Sequence, residues 1–179
     1  MKRSPHSLSA LALALTLTAC ASARTEAPPP VDLGEFPAAA YERIPLATVR
    51  GTSAVNGRAS ATRPGGKPRA ASEAALVPVA PYASAWVEAL VAGRPVPTVD
   101  PRLDAYVRRA TPDAEGRFEL RDVPPGAYHV VATITWEVPR CFTSAGGSVK
   151  CLPPKVLRKV LSRTVTLRDG ATARVSMED

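Results

Sequence analysis

The chain offers few side chains that can act as nucleophiles, general bases or metal ligands. Among its 179 residues are the cysteines Cys20, Cys141 and Cys151 and the histidines His6 and His129. A cysteine can be acylated, form a disulfide or bind a metal, and a histidine can transfer protons near neutral pH. With so few reactive groups, the sequence around each decides which chemistry is open to it.

Cys20 follows a segment typical of an exported protein. Lys2 and Arg3 precede Leu8–Leu17, an apolar run too short to span a bilayer, and this order indicates a cleaved signal peptide, residues 1–19. The run ends in Leu-Thr-Ala-Cys, which resembles a bacterial lipobox. The resemblance implies that the Cys20 thiol receives diacylglycerol and anchors the mature protein to a membrane. An ordinary secretory signal that happens to contain a cysteine is the alternative.

The other two cysteines are expected to pair. The compartment beyond the inner membrane is oxidising, so Cys141 and Cys151 should form a disulfide that supports stability. Two free thiols would need a reducing compartment. A zinc site is disfavoured because no further cysteine or histidine lies nearby. The prolines and glycines of Pro139–Pro154 predict an irregular loop that the disulfide closes.

The most regular pattern lies at residues 111–131 and predicts two strands joined by a tight turn. Apolar residues alternate with polar or charged ones on either side of a Pro-Pro-Gly stop, the pattern of strands buried on one face. Glycine supplies backbone freedom at both turns. Seven residues define this core motif: Asp113, Gly116, Phe118, Leu120, Pro125, Gly126 and Tyr128.

The spacing D-x-x-G-x-F-x-L-x-x-V-P-P-G-x-Y-x-V resembles the motif of carboxypeptidase regulatory-like domains, which are small prealbumin-like (transthyretin-like) β-sandwiches. This resemblance implies a single all-β, Greek-key sandwich of about seven strands, and we place it at residues 44–179. Further short alternating segments agree with a sandwich. Leu46–Gly51 is expected to be an edge strand, and Ala75–Val79 a buried one.

An insertion is predicted at residues 81–110. Ser84 is expected to cap a short helix, and Asp100 followed by Pro101 predicts a second helix start. Tyr82 and Trp86 are the large aromatic residues of the insertion. They could form a recognition surface, or they could fill the open end of an alanine-rich sandwich.

The predicted protein is not an enzyme and needs no cofactor or metal. His6 would leave with the signal peptide, and His129 is expected on the outward face of its strand. The core motif also resembles that of intradiol dioxygenases, but one histidine cannot supply their two-tyrosine, two-histidine iron site. The Y-R-G-S motif of transthyretin-like hydroxyisourate hydrolases is absent, as are the zinc domain of metallocarboxypeptidases, a Gly-x-Ser-x-Gly motif and a phosphate loop.

Charge narrows the possible partners. The net charge of +7 would fall to +5 once Lys2 and Arg3 leave. Basic residues within 140–174 could attract anionic lipid head groups or other envelope polyanions, or could simply solvate the surface. Nucleic acid is disfavoured because an exported protein seldom meets it.

Together these features predict a non-enzymatic lipoprotein of the bacterial cell envelope. Residues 20–43, rich in alanine and proline, would form an acylated anchor and tether before the sandwich. Alanine at position 21 resembles the sorting pattern of outer-membrane lipoproteins, with the domain facing the periplasm. The sandwich would bind an unidentified envelope protein, glycan or lipid. A structural subunit of a multiprotein envelope or secretion assembly is the alternative.

Overall fold

The computed structural model describes residues 29–63, 66–96 and 98–179 and confirms an all-β sandwich with a short helical insertion. Within these residues there are eight strands in two four-stranded sheets, close to the predicted seven. The predicted signal peptide and Cys20 lie outside the described residues. The elements in chain order are α1 (Ala38–Tyr41), a 3₁₀ helix (Pro45–Ala47), β1 (Ser53–Thr62), β2 (Pro68–Ala70), β3 (Glu73–Pro78), α2 (Pro81–Val91), a second 3₁₀ helix (Pro101–Tyr106), β4 (Arg108–Ala110), β5 (Arg117–Val123), β6 (Gly126–Thr143), β7 (Val149–Leu167) and β8 (Thr172–Glu178).

The first sheet, sheet A, is built around β1. This strand pairs antiparallel with β2 and β5, and parallel with β8. Gly57 lies opposite Phe118 in the β1–β5 ladder, and the Phe118 ring fills the space that a side chain at position 57 would need. Glycine is therefore required at position 57 because of close packing and not because of its backbone angles.

The second sheet, sheet B, has the antiparallel order β4–β3–β6–β7. Its two longest strands, β6 and β7, extend past the sandwich as an exposed hairpin. Cys141 and Cys151 lie directly opposite each other in this hairpin, and the predicted disulfide is present. The predicted irregular loop at 139–154 is wrong, because these residues pair as strands with a register shift between Val138 and Arg140 that accommodates the prolines.

An inner core fills the space between the sheets. Phe118, Leu120 and Tyr128 of the core motif are buried in it. The Tyr128 hydroxyl donates a 2.9 Å hydrogen bond to the carbonyl of Pro124, which fixes the chain as it turns from β5 into β6. At the preceding turn the Asp113 carboxylate accepts from the backbone N–H groups of residues 115 and 117, and Gly116 has a φ of 77°. Both turns of the motif thus have the chemistry that their residues predict.

An outer core covers the opposite face of sheet B. Here α2 and the segment that contains α1 pack on the sheet, and Phe36 and Tyr41 are buried. Folded packing thus begins before the predicted boundary at residue 44. The predicted edge strand at 46–51 is also wrong, since residues 45–47 form a 3₁₀ helix. The outer core consists of Phe36, Tyr41, Ala75, Val77, Ala80, Tyr82, Ala83, Val87, Leu103, Val131 and Val160.

The first turn of α2 is capped by a distant side chain. The residue at the N-cap position is Ala80, which has no side-chain acceptor. Ser84 lies within the helix, so the prediction that it caps the helix is wrong. Instead the Ala83 N–H donates to the Tyr41 hydroxyl oxygen at 2.9 Å. The predicted start at Asp100 is correct: its carboxylate accepts from the Arg102 N–H at the beginning of the second 3₁₀ helix. None of the helices among the described residues has the length and apolar character needed to cross a bilayer.

Candidate functional site

Two adjoining cavities border α2: one lies between this helix and the outer face of sheet B, and the other between this helix and the second 3₁₀ helix. The first has a volume of about 250 Å³ and the second about 300 Å³. Four side chains line both cavities: Trp86, Val99, Val107 and Arg109. The pair of cavities is called the Trp86 cleft below. The small side chain of Ala75 lines the first cavity beside Arg109, its partner in the β3–β4 ladder, and leaves room for the cleft.

The polar groups of the Trp86 cleft are charged side chains that form ion pairs with one another. The Arg109 guanidinium lies 2.7 Å from Asp104 and 3.4 Å from Glu73, so two carboxylates from different elements orient it. Asp100 lines the second cavity, and the pKa of its carboxyl lies below the usual value, chiefly because the Arg102 side chain donates to it. The cleft therefore combines an aromatic surface with carboxylate and guanidinium groups.

The two aromatic residues predicted as a recognition surface have different positions. Tyr82 is 6% exposed, and its hydroxyl accepts a 3.1 Å hydrogen bond from the Asp100 N–H. It therefore belongs to the outer core and cannot offer a binding surface. Trp86 is half-buried and lines both cavities. Neither residue fills the open end of the sandwich, because α2 lies on the outer face of sheet B.

His129 connects α2 to sheet B. Its Nε2 lies 2.9 Å from the Ser84 hydroxyl and its Nδ1 3.2 Å from the Thr164 hydroxyl. Burial lowers the pKa of the imidazole, and Glu88 partly opposes this shift. Neither His129 nor Ser84 lines the cavities described here, so their hydrogen bond serves to hold the helix on the sheet. Across the described ranges no three His, Cys, Asp or Glu side chains come together as a metal site would require.

A larger depression of about 1,050 Å³ lies on sheet A, on the other side of the molecule. Its walls include Asn56, Arg58, Arg117 and Arg174, which offer many hydrogen bonds. Phe118 also lines it but is only 6% exposed, since its ring packs over Gly57. This depression therefore lacks an aromatic surface on which a ligand could stack. For that reason the smaller Trp86 cleft is the better candidate site.

The sequence prediction missed Glu73, Asp104 and Arg109. They are distant in sequence and meet only because β3, β4 and the second 3₁₀ helix converge. One signal was available: β3 contains an unbroken apolar run from Ala74 to Pro78, as expected of a strand covered on both faces. That run predicts a layer over sheet B, although not the residues at its edge.

Comparisons with known proteins support the fold. No protein-family model matches the chain, and a search of curated proteins finds no match. Among solved structures, the chain is similar to a proposed carbohydrate-binding protein from Pseudomonas aeruginosa, with 25% identity and a TM-score of 0.62 over 83% of this chain and 100% of that one. A major pilin subunit of Bacillus cereus also matches, at 12% identity and a TM-score of 0.33, over 72% of this chain and 30% of that one. The second likeness is too low to support an argument.

The fold and the cleft thus define a two-sheet β-sandwich with a helical layer over one sheet. The likeness to the Pseudomonas protein extends over that whole protein. The resemblance of the sequence to carboxypeptidase regulatory-like domains is supported at the level of the β-sandwich.

Proposed function

We propose that this protein binds carbohydrate in the Trp86 cleft and does so without chemically changing it. The observation that supports this most is the position of Trp86 beside an arginine held by two carboxylates. An indole face is an apolar surface against which the C–H groups of a sugar ring can pack. Guanidinium and carboxylate groups provide the donors and acceptors that hydroxyl groups need.

The size of the Trp86 cleft agrees with a small sugar ligand. Together the two cavities fall within the range of small-molecule sites, about 300–1,000 Å³. Trp86 and Arg109 stand where the cavities meet, so a ligand in either one can contact both residues. The proposed carbohydrate binding of the Pseudomonas protein favours the same class of ligand.

Binding should be measured by calorimetry with a panel of neutral and uronic-acid oligosaccharides of two to four sugar units. At least one member should bind, and Trp86→Ala should weaken it at least tenfold. Arg109→Met should also weaken binding, because it removes the guanidinium that would donate to the ligand hydroxyls. Arg174→Met is the matched control, since Arg174 lines the depression on sheet A and not the cleft.

Three results would contradict the proposal. The first is that no oligosaccharide binds. The second is that binding is unchanged in folded Trp86→Ala protein. The third is that Arg174→Met weakens binding while Arg109→Met does not, which would place the ligand on sheet A.

We further propose that the protein is a lipoprotein of the cell envelope, anchored through Cys20 to the outer membrane and facing the periplasm. The Leu-Thr-Ala-Cys sequence after a short apolar run supports this. Several acyl chains on one cysteine would hold the protein stably, whereas one chain binds only marginally. In cells fed a labelled fatty acid, Cys20→Ser should accumulate as unprocessed precursor without label. Normal labelling of that variant would exclude the anchor.

A further inference from the structure

The distal part of the β6–β7 hairpin is a projection, and no described segment of the chain packs on it. Burial in β6 ends near Trp136, and residues 139–156, here called the arm, are exposed with the single exception of the half-buried Ser144. At about 3.3 Å per residue the arm projects roughly 20 Å from the sandwich. A segment of this length that packs against nothing else in the described part of the chain offers its surface to another partner.

The arm is ordered by its own bonds. The disulfide between Cys141 and Cys151 joins the two strands near the tip. Beyond it, the Ser144 N–H donates to the Ser148 carbonyl at 2.8 Å, and the Gly147 N–H donates to the Ser144 carbonyl at 2.9 Å. A partner therefore meets a preformed hairpin and does not have to order it.

Apolar side chains are concentrated on the arm, on both of its faces. Four of the seven exposed large apolar residues in the described ranges lie here: Phe142, Val149, Leu152 and Val156, each 45–68% exposed. The ladder places Arg140 opposite Leu152 and Phe142 opposite Lys150, so Phe142 and Leu152 share one face. Val149, opposite Thr143, lies on the other face, with the disulfide. A flat protein surface could cover only one of these faces.

The charges on the arm all have the same sign. Arg140, Lys150 and Lys155 lie within residues 139–156, and no aspartate or glutamate does. Two copies of the arm would repel each other, so pairing between molecules is disfavoured. Strand addition at the edges is also disfavoured, because Pro139, Pro153 and Pro154 have no N–H to donate.

We propose that the arm inserts its tip into the head-group region of a bilayer that contains anionic lipid. Immersion buries apolar side chains on both faces at once. The three basic side chains remain at the level of the phosphates, where each long side chain can extend its charge towards water. This contact is separate from the Trp86 cleft and from the proposed acyl anchor, and would fix the orientation of the domain relative to the membrane.

The test is co-sedimentation of residues 29–179 with lipid vesicles. This segment contains every core residue that the structure describes, and it lacks the apolar run at residues 8–17, which would bind lipid by itself. It should bind vesicles of phosphatidylglycerol and phosphatidylcholine and should not bind pure phosphatidylcholine. Phe142→Ser with Leu152→Ser should reduce binding at least tenfold, and Lys150→Glu should reduce it by about tenfold. The matched control is Val79→Ser with Val91→Ser, since these residues are 43% and 45% exposed but lie outside the arm.

Two outcomes would overturn the proposal. Absence of binding to the anionic vesicles is one. The other is that the double serine variant still binds anionic vesicles while Lys150→Glu does not, because this would show a purely electrostatic contact with any polyanion, such as an acidic protein. Melting curves confirm that each variant is folded, and the exposed positions make this the expected result.

Discussion

The two cores of this protein are built on different physical principles. The inner core fills the space between two hydrogen-bonded sheets, contains many alanines, and has Phe118 and Tyr128 as its buried aromatic residues. The outer core joins α2, α1 and the second 3₁₀ helix to one sheet through aromatic contacts. Phe36 lies 4.6 Å from Tyr41 and 5.3 Å from Tyr82 between ring centroids.

In the outer core, tyrosine hydroxyls make the hydrogen bonds between segments that backbone groups make between the strands around the inner core. The hydroxyls of Tyr41 and Tyr82 accept hydrogen bonds from the N–H groups of Ala83 and Asp100, on different segments. The sandwich is thus held by strand ladders together with its buried side chains, whereas the layer added to it is held mainly by side-chain contacts. The Trp86 cleft lies where this second layer meets sheet B, so substitutions on its helical side can alter the cleft without altering the strand ladders.

The largest effect on stability is expected in the inner core, and two of the three phenylalanines of the chain allow a direct comparison. Phe118→Ala should lower the free energy of unfolding by about 3–5 kcal/mol, because it leaves a cavity over Gly57. Phe142→Ala, on the exposed arm, is the matched control and should change it by less than about 0.5 kcal/mol. Denaturant titration measures both. Equal losses would show that the inner core does not dominate stability.

A smaller loss is expected when one bond of the outer core is removed. Tyr41→Phe retains the ring but leaves the buried Ala83 N–H without its acceptor, which should cost about 1–2 kcal/mol. Amide exchange at Ala83 should accelerate before exchange in β1 or β6. If both regions accelerate equally, the outer core does not open independently of the sandwich.

A weaker test of the outer core uses pH. Burial lowers the pKa of His129 below 6.5, so the unfolded chain takes up the proton more readily than the folded one. Neutral His129 makes its full contribution to the free energy of unfolding above about pH 6.5. That contribution is lost as the pH falls through the folded-state pKa. Melting temperatures from pH 8 to 5 should fall less in His129→Gln than in the parent protein. Parallel curves would show that another group determines the change.

The smallest effect on global stability is expected at the disulfide. If the disulfide closed a flexible loop of this length, as the sequence predicts, its removal would lower the free energy of unfolding by about 2.5–3 kcal/mol. The structure places the bond in an exposed hairpin, so the arm without it can open locally and regain the entropy in the folded state. Replacing Cys141 and Cys151 by serine should cost less than about 1 kcal/mol, while amide exchange in the arm rises at least tenfold. A global loss near 3 kcal/mol would show that the arm is coupled to the sandwich.

The inner core could be predicted from the sequence because strand alternation records burial residue by residue. Phe118 and Leu120, and later Tyr128 and Val130, alternate with residues that face outward. The same rule correctly places His129 on the outward face of β6, but it does not reveal that this face is partly covered. The outward face of β6 is covered by α2, and nothing within β6 itself shows which segment provides the cover.

The outer core and the arm were harder to predict for two different reasons. Phe36 and Tyr41 are in a segment with the composition of a tether, and only their contacts with α2 and sheet B order it. In the arm, the prolines of residues 139–154 indicate a loop, yet they are tolerated at a bulge and at a strand edge. In both regions long-range pairing prevails over local propensity.

The parallel pairing of β1 with β8 has a consequence for the order of folding. The first strand of the sandwich aligns Ala54 with Thr172 and Ser60 with Glu178, and Val175 and Met177 of β8 complete the inner core. During synthesis, β1 therefore waits for more than a hundred residues before its parallel neighbour exists. Contacts so distant in sequence form slowly. The inner core therefore cannot be completed before β8 has been made, and this delay favours an unfolded chain at the time of export, if the protein is exported as proposed.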